Sequence, residues 1–531
     1  MKQRILASGN EAIAMAAYDC GVNLGCGYPG TPSSEILDEF CKLGGNAEWD
    51  PNEKCALETA IGAAMTGCRA IATMKHVGLN VAADPLFTIA YSGTAGGLVI
   101  ITADDPGMAS SQNEQDNRRY ARAAGVPMFE PSDSQECYDF LKEAFKLADR
   151  FRSPVLFRVT TRVCHSKCVM ERESEREALR VGNFVKEPSL NVMIPAYAKM
   201  AHRRLRADLA KMAEVAENYA KAEMRSDKLG IITSGISYQH VLDAAPDASV
   251  LKLGFTYPLP VNAVKEFVSK VERCIVVEEG DPVLFESISA AGIKVEDKAE
   301  MFRFGEFSVE RVRKLIANDT TPDPVPPKGK APQLCPGCPH RKTFEVLRDL
   351  GCIVSGDIGC YTLGVLPPFE AIHTTVCMGA SITVGLGMRK TLPEEQARKV
   401  VSVIGDSTFM HTGVNGIVEM VYNTPATGHV VVIMDNRTTA MTGLQEHPGT
   451  GKRLDHKTPA ERVVIEDVVR GIGVKNVDIV DTTLETERFA ELLKQRLSEN
   501  ECSVIIARRP CILAQARDAK ALKAAQAKEN K

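Results

Sequence analysis

Short, unbroken apolar runs alternate with small-residue, helix-forming stretches along most of this chain. Ala70-Ile71-Ala72-Thr73-Met74 and Gly97-Leu98-Val99-Ile100-Ile101-Thr102 read as strands buried on both faces. Just ahead of them, Ala56, Ala60, Ala63, Ala64 and Gly67 set small side chains along a helix. Apolar strands separated by helices predict a parallel sheet covered on both sides, the α/β class. A second set of such strands falls at 229–235, 250–253 and 274–279, and a third at 352–356, 399–404, 429–434 and 503–507.

Two stretches break this rhythm. Residues 195–227 are rich in Ala, Lys, Arg and Glu and predict a long, largely exposed connecting helix. Five prolines between 322 and 332 remove backbone donors and forbid a regular element, marking a linker. The expected organisation is an α/β domain at 1–180, a helical connector at 181–228 and a smaller α/β domain at 229–320. A Pro-rich linker at 321–333 then leads to a third α/β domain at 334–531. The Ala- and Lys-rich tail at 515–531 predicts a helix that frays.

At 531 residues, 44% hydrophobic and 25% charged, the chain has room for about three cores. A net charge of −4 offers no footprint for nucleic acid or an anionic membrane surface. No apolar run approaches the roughly 18 residues of a membrane span, and Asn10 and Glu11 interrupt any leader-like apolar region. The expected compartment is the cytoplasm. The sixteen cysteines are then not a disulfide framework. Cys20, Cys26, Cys41, Cys55, Cys68, Cys137 and Cys377 are expected to be buried free thiols.

The strand at 399–404 stops at Gly405-Asp406, a helix is expected at 413–422, and the strand at 429–434 stops at Asp435-Asn436. In such a βαβ unit the strands are parallel, so Asp406 and Asn436 leave the sheet at one carboxyl edge, where open α/β sheets bind ligands. Their oxygens, with the carbonyl of Thr438 as a third donor, suit Mg²⁺ sharing its shell with a diphosphate. Gly405 lets another group approach the backbone closely. A plain turn is the alternative reading of Gly-Asp.

Cys335 and Cys338 form a Cys-Pro-Gly-Cys motif after the linker, Cys360 follows the strand at 352–356, and Cys511 follows the strand at 503–507. If those strands join the sheet of Asp406 and Asn436, four thiolates gather beside the metal edge. Four cysteines hold either Zn²⁺ or a 4Fe-4S cluster, and Cys-x-x-Cys alone also fits a redox dithiol. Cys352 and Cys502 compete with Cys511 as fourth ligand but lie at the leading ends of their strands.

Gly405-Asp406-Ser407, followed about thirty residues later by Asp435-Asn436, resembles the signature of thiamine diphosphate enzymes, Gly-Asp-Gly with a later Asn-Asn. Ser407 and Asp435 depart from it without removing a presumed metal ligand. Longer strings make the resemblance specific: Gly27 to Ser34, Met74 to Asn80, Asp104 to Met108, Ser111 to Arg118, Cys335 to Arg341, Gly356 to Thr362 and Asp435 to Gly443. Over nearly its whole length the chain resembles the 2-oxoacid:ferredoxin oxidoreductases, most closely the large subunits of the indolepyruvate branch.

The resemblance implies a pyrimidine-binding-type domain first, a transketolase C-terminal-like domain next and a diphosphate-binding-type domain last. It implies thiamine diphosphate, Mg²⁺ and a 4Fe-4S cluster as cofactors, with Gly30, Glu53, Gly405, Asp406, Ser407, Asn436 and Thr438 at the first two. Glu53 becomes the carboxylate that activates the aminopyrimidine; Glu58, its competitor, otherwise reads as a solvent-side charge. Thr31 and Asn113 face the substrate. Lys75 and His76 act at the reaction centre or merely stabilise a loop, while Arg118, Arg119 and Arg122 are expected on a solvated helix face.

The implied reaction converts a 2-oxo acid, an arylpyruvate by resemblance, and CoA into acyl-CoA and CO₂, with electrons leaving singly. A small second subunit, two copies of each in a heterotetramer, and ferredoxin or another acceptor are the implied partners. Typical members of the resembled family end in a ferredoxin-like module with two further cysteine-rich cluster motifs; here the chain stops soon after Cys511, and the expected acceptor is a separate ferredoxin or another redox subunit. Two other readings stay open: a non-oxidative 2-oxo acid decarboxylase and a non-catalytic, metal-stapled subunit.

Overall fold

The computed structural model describes residues 2–173, 175–324 and 332–529, so 325–331 of the expected linker lie outside the described residues. The chain divides into two units, Met1–Val325 and Pro326–Lys531. In the first, seven strands form one sheet in the order Phe255–Tyr257, Met128–Phe129, Val155–Thr160, Leu98–Asp104, Ala70–Lys75, Leu24–Gly27 and Ala47–Trp49. All pairings are parallel except that of Phe255–Tyr257 with Met128–Phe129. Ala70–Lys75, Leu98–Asp104 and Val155–Thr160 are buried along their whole length, which is why their sequence shows no polar alternation.

The helix Glu53–Met65 begins where the Asn52 side chain caps the Cys55 N–H at 2.8 Å. Its buried face is Ala56, Leu57, Ala60 and Ala64, whose small side chains seat it against the sheet.

A second sheet in this unit runs Arg273–Val277, Leu229–Ser234, Ser249–Leu253 and Ala220–Glu223, the last strand antiparallel. The expected helix at 195–227 ends early. It covers Pro195–Ala216 and buries Leu205, Leu209 and Met212 against Tyr91, Phe151 and Tyr257. Residues Ala220–Glu223, helix-forming by composition, instead pair with Ser249–Leu253, a remote partner that overrides local propensity. Phe255–Tyr257 follows directly on Ser249–Leu253 but joins the seven-stranded sheet, knitting the two sheets together.

A buried ionic network adds to that join and corrects the expectation for Arg118. Arg118 is only 2% exposed; it pairs with Asp116 and Glu278 and donates to the carbonyls of Glu279 and Asp281. Glu278 also accepts the Leu284 and Phe285 N–H groups. Arg119 and Arg122 are exposed, Arg119 pairing with Asp281 and Glu286.

The second unit is built on five parallel strands in the order Ile353–Ser355, Val400–Gly405, His429–Asp435, Cys502–Arg508 and Asn476–Val480. One face carries Phe344, Leu347 and Phe489; the other carries Ile382, Phe409 and Ile417. A helix, Ile512–Glu529, follows the Cys502–Arg508 strand. Of the cysteines expected to be buried thiols, Cys20, Cys26 and Cys137 are buried and Cys41, Cys55 and Cys68 partly so. Cys377 is exposed, because it sits in an irregular segment rather than in an element of the core.

Candidate functional site

Because Val400–Gly405 and His429–Asp435 are adjacent and parallel, Asp406 and Asn436 emerge side by side at the carboxyl edge of the second unit's sheet. Both are buried, as are Ser407 and Thr438. The Asp406 carboxylate accepts the Ser407 N–H at 2.9 Å, the Arg437 N–H at 2.6 Å and a contact from His447 Nε2 at 3.2 Å. Burial alone would raise its pKa; His447 and the two backbone amides outweigh burial and hold the carboxyl below its ordinary range. Burial first, and the Asp406 charge second, push the neighbouring Asp435 carboxyl upward, although Arg508 pairs with it at 2.6 Å. Among the described residues no lysine or arginine side chain pairs with Asp406. A buried carboxylate short of cationic partners, next to an amide oxygen, is a donor set that fits Mg²⁺.

Asn436 Oδ1 accepts the Thr438 N–H at 3.2 Å, and its Nδ2 lies 3.1 Å from His340 Nε2. Burial lowers the His340 pKa to about 4, so the ring is neutral. Ser407 Oγ meets Thr439 Oγ1 at 2.7 Å, and Thr438 Oγ1 donates to the Gln445 carbonyl. A Cβ on Gly405 would lie 2.5 Å from the Tyr361 ring, so the close approach permitted by this glycine is taken up by Tyr361.

The four sequence-predicted thiols meet at the same edge. Cys335, Cys338, Cys360 and Cys511 line one cavity of about 70 Å³ together with Leu334, Pro339, Leu363 and Asn436. Ile353–Ser355 and Cys502–Arg508 flank the two metal-edge strands, which brings Cys360 and Cys511 to this end of the sheet. Burial, reinforced by the charges of the neighbouring cysteines, pushes Cys338 up to about 11 and Cys360 up to about 12. Thiols so reluctant to ionise in an apolar recess become thiolates when a cationic metal or cluster binds them. Cys352 and Cys502 lie at the opposite ends of their strands, with Cys502 Sγ directed to the Met420 carbonyl.

The remaining predicted residues belong to the first unit. Glu53 is buried at the first turn of its helix, whereas Glu58 is exposed and paired with Lys54. A Cβ on Gly78 would lie 2.6 Å from Glu53 Cγ, so glycine at 78 makes room for this carboxylate. Lys75 ends the strand Ala70–Lys75 and His76 opens the helix His76–Val81. Lys75 Nζ donates to the Ser110 carbonyl at 2.7 Å, and burial lowers its pKa to about 8. His76 Nε2 lies 3.1 Å from the Asn113 carbonyl. Both side chains therefore hold the 105–117 loop. Asn113 itself is exposed, its side chain accepting from Gln115. Thr31 is partly buried beside Pro32, its carbonyl 3.5 Å from Ser110 Oγ, and the Gly30 N–H donates to Ser34 Oγ.

Sequence reasoning missed His340, His447 and Tyr361. His340 stands two residues after Cys338 and offered a positional signal; His447 lies in an aperiodic loop and offered none.

Comparison with known proteins agrees with this architecture. Residues 15–224 match the thiamine diphosphate-binding family of pyruvate flavodoxin/ferredoxin oxidoreductases, and residues 357–507 match the C-terminal thiamine pyrophosphate-binding domain of thiamine pyrophosphate enzymes. The indolepyruvate oxidoreductase subunit IorA of Archaeoglobus fulgidus is 40% identical over 96% of this chain and 87% of its own. Its namesake from Pyrococcus abyssi is 38% identical over 96% of this chain and 86% of its own. A solved 2-oxoglutarate:ferredoxin oxidoreductase from Magnetococcus marinus shares the fold, with TM-score 0.51 and 17% identity over 60% of this chain and 65% of that one. Fold and sequence together define a thiamine diphosphate-type 2-oxoacid oxidoreductase subunit. Within that class, the chain belongs to the IorA family of indolepyruvate oxidoreductase subunits.

Proposed function

We propose that this chain carries the oxidative decarboxylation of an arylpyruvate, such as indolepyruvate or phenylpyruvate. In the overall change a 2-oxo acid and CoA yield acyl-CoA, CO₂, a proton and two electrons. The observation that supports the oxidative reading is the gathering of Cys335, Cys338, Cys360 and Cys511 around one recess that Asn436 also lines. A simple decarboxylase has no use for four thiolates at its metal edge.

In this reading Asp406, Asn436 and the Thr438 carbonyl hold Mg²⁺, Gly405 and Ser407 border the diphosphate, and Gly30 borders the ring end. Bound thiamine diphosphate supplies a carbon nucleophile and an electron sink, and a 4Fe-4S cluster on the four thiolates supplies a one-electron exit. Glu53 is the buried carboxyl that holds the proton at the aminopyrimidine. Lys75 offers a buried cation to the substrate carboxylate, with His76 opening the next helix and Thr31 and Asn113 on nearby loops. The relatives' names, each that of an oxidoreductase subunit, support a partner subunit. This reading makes it a small one, with two copies of each chain and ferredoxin or another soluble carrier as the electron acceptor. No helix among the described residues is long and apolar enough to cross a membrane, and we place the reaction in the cytoplasm.

The test is anaerobic purification with analysis for iron, sulfide and thiamine diphosphate, followed by dye reduction with indolepyruvate and CoA. About four irons per chain and CoA-dependent dye reduction are expected. A colourless protein releasing CO₂ and aldehyde without reducing the dye would refute the oxidative reading.

A further inference from the structure

Each of the two side chains at the metal edge is held by a histidine that the proposed chemistry does not use. His447 Nδ1 lies 3.1 Å from the Gly449 backbone nitrogen, which can only donate, so Nδ1 must carry the lone pair. The ring proton is therefore on Nε2, which donates to Asp406 Oδ2 at 3.2 Å. With the Ser407 and Arg437 amides this makes three donors on a carboxylate that has about four acceptor positions, fixing its plane and leaving capacity for a cation.

The same logic fixes Asn436. The Thr438 N–H can only donate, so the amide atom facing it is the oxygen. Nδ2 then faces His340 Nε2 at 3.1 Å, and His340 accepts. A half-turn of the amide would set its nitrogen against Thr438 N–H and its oxygen against the His340 lone pair, losing both bonds. His340 is itself fixed, packed edge-on to Tyr361 with ring centroids 6.2 Å apart, and opens the helix His340–Asp349 directly after the turn that carries Cys335 and Cys338.

We propose that His447 and His340 are positioning residues for the Mg²⁺–diphosphate site, one orienting the Asp406 carboxylate and the other the Asn436 amide. The proposal rests on the assignment of Asp406 and Asn436 as metal ligands made above. It adds that the metal edge depends on a side chain from the helix that directly follows Cys335 and Cys338. Outer partners of metal ligands act in this way by holding the donor atoms in one orientation.

The experiment titrates Mg²⁺ calorimetrically, at saturating thiamine diphosphate, into the anaerobically purified complex with its native partner subunit. Iron content is measured on every sample. Asp406→Ala tests the ligand assignment; His447→Leu and His340→Leu remove the hydrogen bonds; His447→Gln and His340→Gln restore them. A glutamine can donate through its nitrogen to Asp406 or accept through its oxygen from Asn436.

The leucine variants should bind Mg²⁺ about tenfold more weakly or worse, and the glutamine variants should stay within about threefold of the parent. Where a leucine variant does not fold, the asparagine variant replaces it, being polar but too short to reach. Parent-like affinity in both leucine variants, with Asp406→Ala impaired, overturns the positioning roles alone. Equal weakening in leucine and glutamine variants also overturns them, because it marks a packing role. A parent that binds no Mg²⁺, or Asp406→Ala binding like the parent, overturns the ligand assignment and the inference with it.

Discussion

The Cys511 N–H donates to the Asn436 carbonyl at 2.9 Å. One hydrogen bond thus fixes the last of the four cysteines in register with the strand end that carries the candidate metal amide. The carbonyl of Asn436 holds Cys511 while its side chain reaches His340, so a shift of this residue is felt at the cysteine recess and at the candidate metal edge. The two centres are parts of one rigid sheet edge, set by parallel pairing of His429–Asp435 with Cys502–Arg508.

Cys338→Ala separates the two centres chemically. It removes one of four thiolates without touching Asp406 or Asn436. Iron content should fall to near zero and dye reduction should be lost, while thiamine diphosphate binding in the presence of Mg²⁺ stays near that of the parent. Iron analysis and calorimetry on the same preparation check this; full iron occupancy in the variant would remove Cys338 from the ligand set.

Glu53→Gln keeps the size and burial of the side chain but removes its proton exchange. General acid–base contributions of this kind are worth about 10²–10⁴ in rate, and CO₂ release should fall by that order with cofactor binding retained. Gly78→Ala acts on the same carboxyl from outside, since its Cβ would lie 2.6 Å from Glu53 Cγ and 2.8 Å from Oε1. It should lower CO₂ release in the same direction by a smaller factor. Labelled-CO₂ release measures both, and an undiminished rate in Glu53→Gln would refute the assignment of the activating acid.

That Asp406, Asn436, Cys360 and Cys511 follow strand ends was legible because those strands are continuous apolar runs. The βαβ connection forces Val400–Gly405 and His429–Asp435 parallel, so residues just past each run share one edge. Strand order, which brings Cys360 and Cys511 to the flanks of that pair, is a tertiary outcome that no local pattern encodes. The misreadings have the same origin. Arg118 lies in an Arg-Arg-Tyr-Ala-Arg run that reads as solvated, yet its partner Glu278 comes from 160 residues away. Ala220–Glu223 has helical composition but finds an edge strand to pair with. His447 is defined by contacts to Asp406 and Gly449 within an aperiodic loop.

With Lys75 facing the substrate carboxylate, as proposed above, substrate binding should depend on pH. Burial lowers the Lys75 pKa from the ordinary lysine value to about 8, with Asp105 acting in the opposite sense. Below about 8 the group is an ammonium and attracts a substrate carboxylate; above it the group is neutral and the attraction fades. The KM for a 2-oxo acid should therefore rise as pH increases through about 8, with kcat less affected. Lys75→Arg, charged throughout, should flatten this limb, and Lys75→Gln should bind weakly at every pH. Steady-state kinetics between pH 6.5 and 9.5 decide it; a parent KM that is flat across this range removes Lys75 from substrate recognition.

Glu279 sets a separate pH dependence, on stability. Burial raises its pKa to about 7, although it accepts the Phe307 N–H at 2.7 Å. The folded state therefore holds a proton that the unfolded chain releases near 4.5. A raised folded pKa means the contribution is complete below about 4.5 and is lost as pH climbs through about 7. The shift corresponds to a loss of about 3 kcal/mol across that range. Glu279→Gln keeps the acceptor for Phe307 and cannot ionise. Its Tm should match the parent near pH 5 and exceed it near pH 8, so the difference between variant and parent grows with pH. Thermal melts of both proteins across this range measure that difference. A gap that stays constant with pH would show that Glu279 is already ionised in the folded protein, with Arg158 and Arg162 near enough to hold its charge.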